Sequence, residues 1–262
     1  MVIPCIDMKI ILIGAGNLAT QLAVALQKKG MTPAYIYSRT RESAEQLSER
    51  LRDVPYSTDI SRVPTDGDLY IFAVKDSALL DLVSRMPSNR GLWVHTAGSM
   101  DMEVFAPHTA RYGVFYPMQT FSKERETDFD DIPIFVEANH TDDTECLQEL
   151  AGRLSTKVYE ATSEQRKYLH LAAVFACNFT NHLYALCDRI LSEHGLPFET
   201  MLPLIRETAA KVADMPPAQA QTGPAIRYDK NVIDKQMALL SDPTMRQIYD
   251  LMSRSIHETN KH

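Results

Sequence analysis

Short apolar runs alternate with amphipathic stretches through the first 160 residues of the chain. Runs rich in β-branched residues predict buried strands, whereas apolar positions spaced three and four apart predict helices that pack on one face. The strand patterns fall at residues 9–13, 34–37, 69–74, 92–94, 113–116, 132–136 and 157–159, and the helical patterns at residues 17–29, 41–51, 76–86 and 141–154. This alternation predicts an α/β fold with a doubly wound parallel sheet.

The pattern changes near residue 160 and becomes almost wholly helical. Thr162 and Gln165 have the spacing of a capping box, which predicts the start of a long helix. This helix is expected from about residue 164 to His194, where Gly195 stops it. Three further helical stretches follow it. We therefore expect an α/β domain over residues 1–160 and an all-α domain over residues 161–262, with the boundary at residues 158–163.

A glycine-rich turn lies between the first predicted strand and the first predicted helix. Gly14 can form the tight turn, Gly16 lets a pyrophosphate approach the backbone, and Ala19 lets the helix pack closely on the strand. Phosphates would then face free N–H groups at the positive end of the helix. A tight turn between any strand and helix could give the same pattern, but this context favours a dinucleotide site. The residues expected to hold the dinucleotide are Gly14, Ala15, Gly16, Asn17 and Leu18.

The end of the second predicted strand indicates which dinucleotide binds. A strand built for NAD carries an Asp or Glu about 20 residues on, where the carboxylate binds the ribose 2′-hydroxyl. Here Ser38, Arg39 and Thr40 occupy that region. A carboxylate would repel a 2′-phosphate, whereas hydroxyl and guanidinium groups would bind it, so the sequence favours NADP. The alternative is that Arg39 is an ordinary exposed arginine.

In a doubly wound sheet, ligands bind beyond the carboxyl ends of the strands. Small side chains at Ala97 and Gly98 would let a ring lie against the backbone there, whereas Asp76 is better explained as a helix cap. The segments that reach this edge are residues 74–76, residues 95–99 (the His95 loop) and residues 116–120. The residues of these loops expected to contact the cofactor are Val74, Lys75, Thr96, Ala97 and Gly98.

Polar residues form a narrow stripe along the predicted long helix. At 3.6 residues per turn, one face carries Lys167, His170, Val174, Asn178, Asn181 and Asp188. A solvated face usually carries Lys, Glu and Arg, whereas His and Asn hydrogen-bond a ligand without adding a fixed charge. The stripe therefore has two equally good interpretations. One is a substrate site, and the other is a solvated face that holds a structural histidine.

Hydride transfer requires orientation and a proton source, because the nicotinamide itself supplies the redox chemistry. A histidine near its usual pKa can donate a proton at neutral pH. His170 is the first candidate for this donor and His95 the second, and Asn178 would orient a substrate carbonyl or carboxylate. Lys167 or Lys75 would bind an anionic group.

Net charge, apolar runs and cysteine spacing limit the classes of partner that the chain can bind and the compartment in which we expect it. A net charge of −7 over 262 residues argues against nucleic-acid binding, which needs a basic face. No apolar run approaches the roughly 20 residues that span a bilayer, and residues 1–7 lack the apolar core of a signal peptide. The cysteines lie far apart, which favours reduced core residues over metal ligands, so we expect a cytoplasmic protein without a metal. They are Cys5, Cys146, Cys177 and Cys187.

Several motifs along the chain occur together in one known family. They are Gly14-x-Gly16, Ser38-Arg39-Thr40, His95-Thr96-Ala97-Gly98-Ser99, Tyr116-Pro117-x-Gln119-Thr120-Phe121, Asn178 and Thr222-Gly223-Pro224. Over nearly its whole length, the chain resembles NADP oxidoreductases with a Rossmann-like N-terminal half and a C-terminal helical domain of unknown function. More distantly, it is similar to pyrroline-5-carboxylate reductase and the deazaflavin-dependent NADP reductases. The resemblance implies NADP at residues 14–18 and 38–40, the His95 loop under the nicotinamide, and a homodimer formed through the helical domain.

Two departures prevent a substrate from being carried over from these relatives. The pyrroline-5-carboxylate reductases have a Gly-Gly-Thr-Thr-like segment where this chain has residues 222–224, and Leu171 stands where 3-hydroxyacid dehydrogenases have Asn four residues after a catalytic Lys. We therefore expect an NADP-dependent oxidoreductase that acts on a small, anionic carbonyl or imine metabolite in a cleft between the domains. The alternatives are a non-catalytic NADP-binding sensor or regulatory protein, and a deazaflavin-linked NADP reductase.

Overall fold

The central element is an eight-stranded sheet, seen in a computed structural model that describes residues 8–260. Its strands are β1 (Ile10–Ile13), β2 (Tyr35–Tyr37), β3 (Tyr56–Ser57), β4 (Leu69–Phe72), β5 (Leu92–His95), β6 (Tyr112–Pro117), β7 (Ile134–Ala138) and β8 (Val158–Glu160). Their order across the sheet is β3-β2-β1-β4-β5-β6-β7-β8. The chain builds outward from β1 in one direction and then crosses to β4 on its other side. This reversal is the topological switch point of a doubly wound sheet.

The sheet is mostly parallel, as predicted, but β6 and β7 pair antiparallel, with Gly113 opposite Ala138 and Pro117 opposite Ile134. The predicted doubly wound parallel sheet is therefore confirmed, with this one pair as an exception. A parallel pair needs a crossover, usually a helix, whereas the segment from β6 to β7 contains no helix and lets the chain double back. The sequence pattern also missed β3, which has only two residues.

Helices cover both faces of the sheet. They are α1 (Asn17–Lys28), α2 (Arg41–Arg50), α3 (Asp76–Arg85) and α4 (Thr141–Leu154). Alternate residues of β1 point to opposite faces, so Ile10 and Leu12 join one core and Ile11 and Ile13 the other. Residues of α1, α2 and α4 pack in the first core, and residues of α3 pack in the second. Burial on both faces explains why the central strands are continuous apolar runs.

The helical part of the chain begins with α5 (Ser163–Ala173), where Thr162 and Gln165 form the predicted capping box. The expected continuous α-helix to about residue 194 is corrected. A π-helical segment (Val174–Phe179) separates α5 from α6 (Thr180–Glu193). Because π geometry bonds residue i to residue i+5, the 3.6-residue spacing behind the predicted polar stripe does not hold across this segment.

The chain divides into two compact units, one that ends at Cys177 and one that starts at Asn178. This division lies further along the chain than residues 158–163, because α5 packs with the sheet through side chains such as Leu169. The second unit contains α6, α7 (Leu202–Asp214), α8 (Pro217–Ala220), α9 (Lys230–Leu239) and α10 (Pro243–Thr259).

Three expectations concern the membrane, the chain start and the cysteines. Among the helices of residues 8–260, none has the length and apolar character needed to cross a membrane. Cys5 and the rest of residues 1–7 lie outside the described residues, while Cys177 and Cys187 are free thiols. The cytoplasmic location stays a prediction.

Candidate functional site

The turn after β1 requires glycine at its first position. Gly14 has a φ of +126°, and its N–H donates to the Tyr37 carbonyl at 2.7 Å. A Cβ built on Gly14 would lie 2.2 Å from the Ala73 carbonyl oxygen, far inside van der Waals contact. Gly14 therefore lets the backbone that follows β1, β2 and β4 come together at the switch point.

The same turn has room for an anion. Gly16 is the N-cap of α1 and no side chain caps the helix, so the first-turn N–H groups are left for water or an anion. A Cβ built on Gly16 would meet no described protein atom within 4 Å. Gly16 and Asn17 are exposed, whereas Ala15 is buried and Leu18 is half-buried. These observations fit a dinucleotide pyrophosphate held by the predicted residues.

Replacing Gly14 by alanine is expected to lower the free energy of unfolding by about 3 kcal/mol, because the added Cβ meets backbone atoms at a strained φ. Gly16→Ala is the matched control. Its Cβ points into open space, so stability should change by less than about 1 kcal/mol. Urea denaturation measures both variants, and a Gly14→Ala variant as stable as the wild type would contradict the strain assigned to this turn.

Ser38, Arg39 and Thr40 follow β2 at the same edge of the sheet. Ser38 is buried, and its N–H donates to the Ser57 carbonyl at 3.2 Å. Arg39 is exposed, and Thr40 is the N-cap of α2. The first charged side chain after β2 is therefore a solvent-accessible guanidinium, which is the group that suits a 2′-phosphate.

The loops after β4 and β5 are joined by a hydrogen bond from Ser99 Oγ to Asp76 Oδ2. Lys75 is the N-cap of α3 and Asp76 is its first residue, so the expected capping role of Asp76 is corrected. Its carboxylate accepts a hydrogen bond from the Ser99 hydroxyl of the neighbouring loop instead. Val74 is half-buried and Thr96 is buried at the same strand ends. The structure thus places these predicted residues at the carboxyl edge of the sheet.

His95 is fully buried and does not fit the role of second proton donor expected of it. Its Nδ1 accepts from the Ala97 N–H at 3.2 Å, and Nε2 lies 3.3 Å from the Asp101 carbonyl oxygen, which requires the proton on Nε2. Burial, together with the Arg166 charge, lowers the pKa of His95 to about 4, so the ring is neutral at physiological pH. Because both nitrogens bond to nearby backbone, His95 shapes its own loop.

The buried imidazole makes stability depend on pH. The pKa of about 4 in the folded chain lies below the 6.5 of an unperturbed histidine, so the unfolded chain binds more protons between these values. The His95 contribution to stability is complete above about pH 6.5 and is lost as the pH falls towards 4. Between about pH 7.5 and about pH 5, we expect His95 to account for a loss of about 2 kcal/mol in the free energy of unfolding.

Urea denaturation at the two pH values measures this effect in the wild type and in His95→Gln. The exposed His108 provides a matched control, and His108→Gln should keep the wild-type pH dependence. If His95→Gln lost as much stability on acidification as the wild type, His95 would not be the residue responsible.

The structure brings Tyr116, His170 and Gly98 together at the same edge. Tyr116 Oη lies 3.1 Å from His170 Nδ1, and the two rings meet edge-on with centroids 6.3 Å apart. A Cβ built on Gly98 would lie 2.6 Å from His170 Nδ1, so the close approach of the His95 loop to this ring needs glycine. Burial raises the pKa of Tyr116, which therefore keeps its hydroxyl proton at neutral pH.

Tyr116 is the candidate that the sequence analysis missed. Residues 116–120 are predicted at this edge, but the sequence assigns no role to the tyrosine. The sequence feature that could have indicated a role for Tyr116 is its place near the end of β6. A buried tyrosine hydroxyl at that position usually has a hydrogen-bond partner. The segment after β6 also reaches the glycine turn, because Asn17 Nδ2 donates to the Phe121 carbonyl at 3.0 Å.

A buried ion pair lies beside the His95 loop and joins α5 to β7. The Arg166 side chain is fully buried, and its Nη1 donates to Glu137 Oε2 at 2.7 Å. Its Nε and Nη2 donate to the carbonyls of Ala97 and Met100, at 3.2 and 2.5 Å. Ser163 Oγ donates to the same Glu137 oxygen at 2.7 Å. The sequence analysis singled out neither member of this pair.

Two further predicted residues are Lys167, on α5, and Asn178, in the segment that follows α5. Lys167 is half-exposed, and its Nζ lies 3.6 Å from Asp101 Oδ2. Asn178 lies in the π-helical segment and begins the second unit. Its role in orienting a substrate stays a prediction.

Comparison with known proteins gives two family matches and several similar solved structures. A Rossmann-like domain matches residues 3–118, and a domain of unknown function, DUF2520, matches residues 132–256. A crystal structure described as a "putative NADP oxidoreductase" from Bacteroides fragilis is 53% identical, with a TM-score of 0.91 over 97% of this chain and 99% of that one. None of the curated proteins matches the chain.

More distant solved structures share the fold alone. A reductive aminase from Aspergillus terreus, in complex with NADPH and ethyl levulinate, is 16% identical with a TM-score of 0.73, over 97% of this chain and 95% of that one. A pyrroline-5-carboxylate reductase from Coxiella burnetii is also 16% identical, with a TM-score of 0.59 over 97% of each chain. The predicted similarity to pyrroline-5-carboxylate reductase is confirmed at this level.

Proposed function

The chain belongs to the family that joins a Rossmann-like domain to a DUF2520 domain, and we propose that it is an NADP-dependent oxidoreductase. In this proposal a hydride passes between NADP(H) and a small, anionic carbonyl or imine metabolite. The observation that carries it is one edge of the sheet that presents both the glycine turn with Arg39 and the Tyr116–His170 pair. The description of the Bacteroides fragilis protein supports the same activity.

The residues at this edge fit NADP. The pyrophosphate would lie against the N–H groups at the start of α1, and the 2′-phosphate against Ser38, Arg39 and Thr40. The nicotinamide ring would lie against the His95 loop, where Ala97 and Gly98 present backbone rather than bulky side chains. When bound, the reduced nicotinamide supplies the hydride.

His170 supplies the proton in this proposal. Reduction of C=O or C=N leaves negative charge on oxygen or a lone pair on nitrogen, and that atom takes up one proton. A protonated His170 donates its Nδ1–H to Tyr116 Oη and presents its Nε2–H to the substrate. Loss of the Nε2 proton leaves a neutral imidazole that is still bonded to Tyr116, and solvent restores the proton. Since burial raises the pKa of Tyr116, the hydroxyl stays neutral throughout.

Lys75 fits the anionic part of the substrate better than Lys167 does. The Lys167 ammonium is already paired with the Asp101 carboxylate, whereas Lys75 is exposed at the start of α3. A substrate carboxylate at this position would also interact with the positive end of the α3 dipole.

We also propose that the second unit mediates a homodimer. Within the described residues, α6 and α7 have no buried side chain, although both helices carry apolar stripes. Large exposed apolar surfaces are typical of protein interfaces, and a second copy would cover such a surface symmetrically. The exposed apolar residues of this unit include Leu183, Ile190, Leu196, Leu204, Val212, Met215, Leu239, Leu251 and Met252.

A screen of small keto acids and imino acids tests the proposed activity, with NADPH consumption followed by absorbance. We expect at least one compound to consume NADPH, to do so faster than it consumes NADH, and to give an equal amount of reduced product. Binding of NADPH without turnover of any compound would support the sensor instead. Turnover only after addition of a deazaflavin would support the deazaflavin-linked reductase, and failure to bind NADPH would exclude all three.

A further inference from the structure

Arg166 is the most completely buried charged side chain near the His95 loop. Its side chain has 0% exposure, and that of its partner Glu137 has 15%. The guanidinium donates to the Glu137 carboxylate, the Ser163 hydroxyl and two backbone carbonyls. These contacts draw together α5, β7 and the loop after β5.

Stability alone does not explain this arrangement. In many proteins, the free-energy cost of removing two charges from water exceeds the gain from their attraction. Apolar residues of similar size often replace such a pair without loss of stability. What apolar residues cannot do is hold the carbonyls of Ala97 and Met100, which lie on either side of Gly98. The planar, rigid fork of an arginine suits several acceptors in fixed positions, which the single ammonium of a lysine does not.

The position of Arg166 on α5 relates it to His170. The two residues are four apart, so they lie on the same face of the helix, one turn from each other. Arg166 holds the loop on both sides of Gly98, and His170 meets the loop at Gly98 itself, where a Cβ would come within 2.6 Å of the ring. A small displacement of residues 97–100 would therefore change the distance from this backbone to the His170 imidazole.

We propose that the Arg166–Glu137 pair is a positioning device for the nicotinamide end of the site. It fixes residues 97–100 against α5, so that the backbone facing the nicotinamide and the imidazole of His170 keep one spacing. The proposal rests on the proposed NADP-dependent function. The Arg166 side chain is fully buried and that of Glu137 is largely buried. In this proposal the pair acts through the backbone of the loop and not by contact with the cofactor.

Comparing the affinities of two ligands distinguishes the nicotinamide end of the site from the part that holds the rest of the dinucleotide. NADPH contacts the whole edge, whereas 2′-phospho-ADP-ribose lacks the nicotinamide and contacts only the glycine turn and residues 38–40. In Arg166→Lys, we expect affinity for NADPH to fall about tenfold and affinity for 2′-phospho-ADP-ribose to change less than about twofold. Isothermal titration calorimetry measures both constants without any knowledge of the substrate.

Two further variants keep the result interpretable if Arg166→Lys folds poorly. The double variant Arg166→Met with Glu137→Met removes both charges and is expected to fold, because no unpaired charge stays buried. It should still lose NADPH affinity selectively, since the carbonyls of Ala97 and Met100 are no longer held. Arg111→Lys is the matched control, because Arg111 pairs with the buried Asp143 at the opposite end of β6 from Tyr116. It should affect neither ligand.

A selective loss of NADPH affinity in both Arg166 variants, with Arg111→Lys unchanged, would support the positioning role. Equal losses for the two ligands, or no loss in the double variant, would overturn it while leaving NADP binding intact. If the wild type bound neither ligand, the proposed function would fall first and this inference with it.

Discussion

Replacing His170 by alanine is expected to lower kcat by about 100- to 1,000-fold, because the developing charge on the substrate loses its proton donor. The Kd for NADPH should change less than about threefold, since the proposed phosphate contacts are at the glycine turn and residues 38–40, away from His170. Steady-state rates with a substrate from the screen, together with direct titration of NADPH, separate the two quantities. A rate equal to that of the wild type would remove His170 from the mechanism.

Three further variants test whether the loss of rate depends on the contacts around the His170 imidazole. Tyr116→Phe keeps the ring and removes the hydroxyl 3.1 Å from Nδ1, so kcat should fall about tenfold. Gly98→Ala adds a Cβ only 2.6 Å from Nδ1 and should displace the imidazole, with a loss approaching that of His170→Ala. His108→Ala, which removes an exposed histidine, should behave as the wild type.

Replacing Arg39 by alanine is expected to weaken NADPH binding by about 10- to 100-fold, because a charge-assisted contact with the 2′-phosphate is lost. NADH lacks that phosphate, so its affinity should stay within about twofold of the wild type. Titration of both cofactors against the same protein gives the ratio directly.

Arg41→Ala provides the matched control for this prediction. Arg41 is an exposed arginine two residues further on, at the start of α2, and its guanidinium lies 3.9 Å from Glu45. It should leave the NADPH-to-NADH ratio unchanged. If Arg39→Ala left both affinities unchanged, the 2′-phosphate would be recognised elsewhere. If Arg41→Ala reproduced the loss, the effect would reflect general surface charge.

The fold was predictable where a local pattern has a single structural explanation. The strands Ile10–Ile13 and Leu69–Phe72 are apolar throughout because helices cover both of their faces, and α4 was predicted at its observed bounds, Thr141–Leu154. The antiparallel turn from β6 to β7 was not predictable in the same way. Strand direction depends on whether the connecting segment crosses over, and the residues of a strand do not encode that choice.

The candidate site likewise has one part that a local sequence pattern predicts and one part that it does not. Its proposed cofactor side consists of sequence-local segments, a glycine turn and the residues directly after β2, so the pattern of residue types is sufficient to predict it. The Tyr116–His170 contact joins residues 54 apart, and the Arg166–Glu137 pair joins residues 29 apart. Neither spacing follows a helical or strand period, so only the packing of α5 on the sheet reveals these contacts.

The reversed direction of β7 and β8 decides where α5 can carry a side chain. A helix after an ordinary parallel strand runs away from the ligand edge, whereas α5 follows a strand that already runs away from it and so travels back towards it. Seven residues of helix advance about 10 Å, from Ser163 beside Glu137 to His170 beside Tyr116. The proposed proton donor, His170, therefore lies on a helix rather than on a loop. A substitution at this one position of α5 would therefore change the group that faces Tyr116 without altering the strands or the glycine turn.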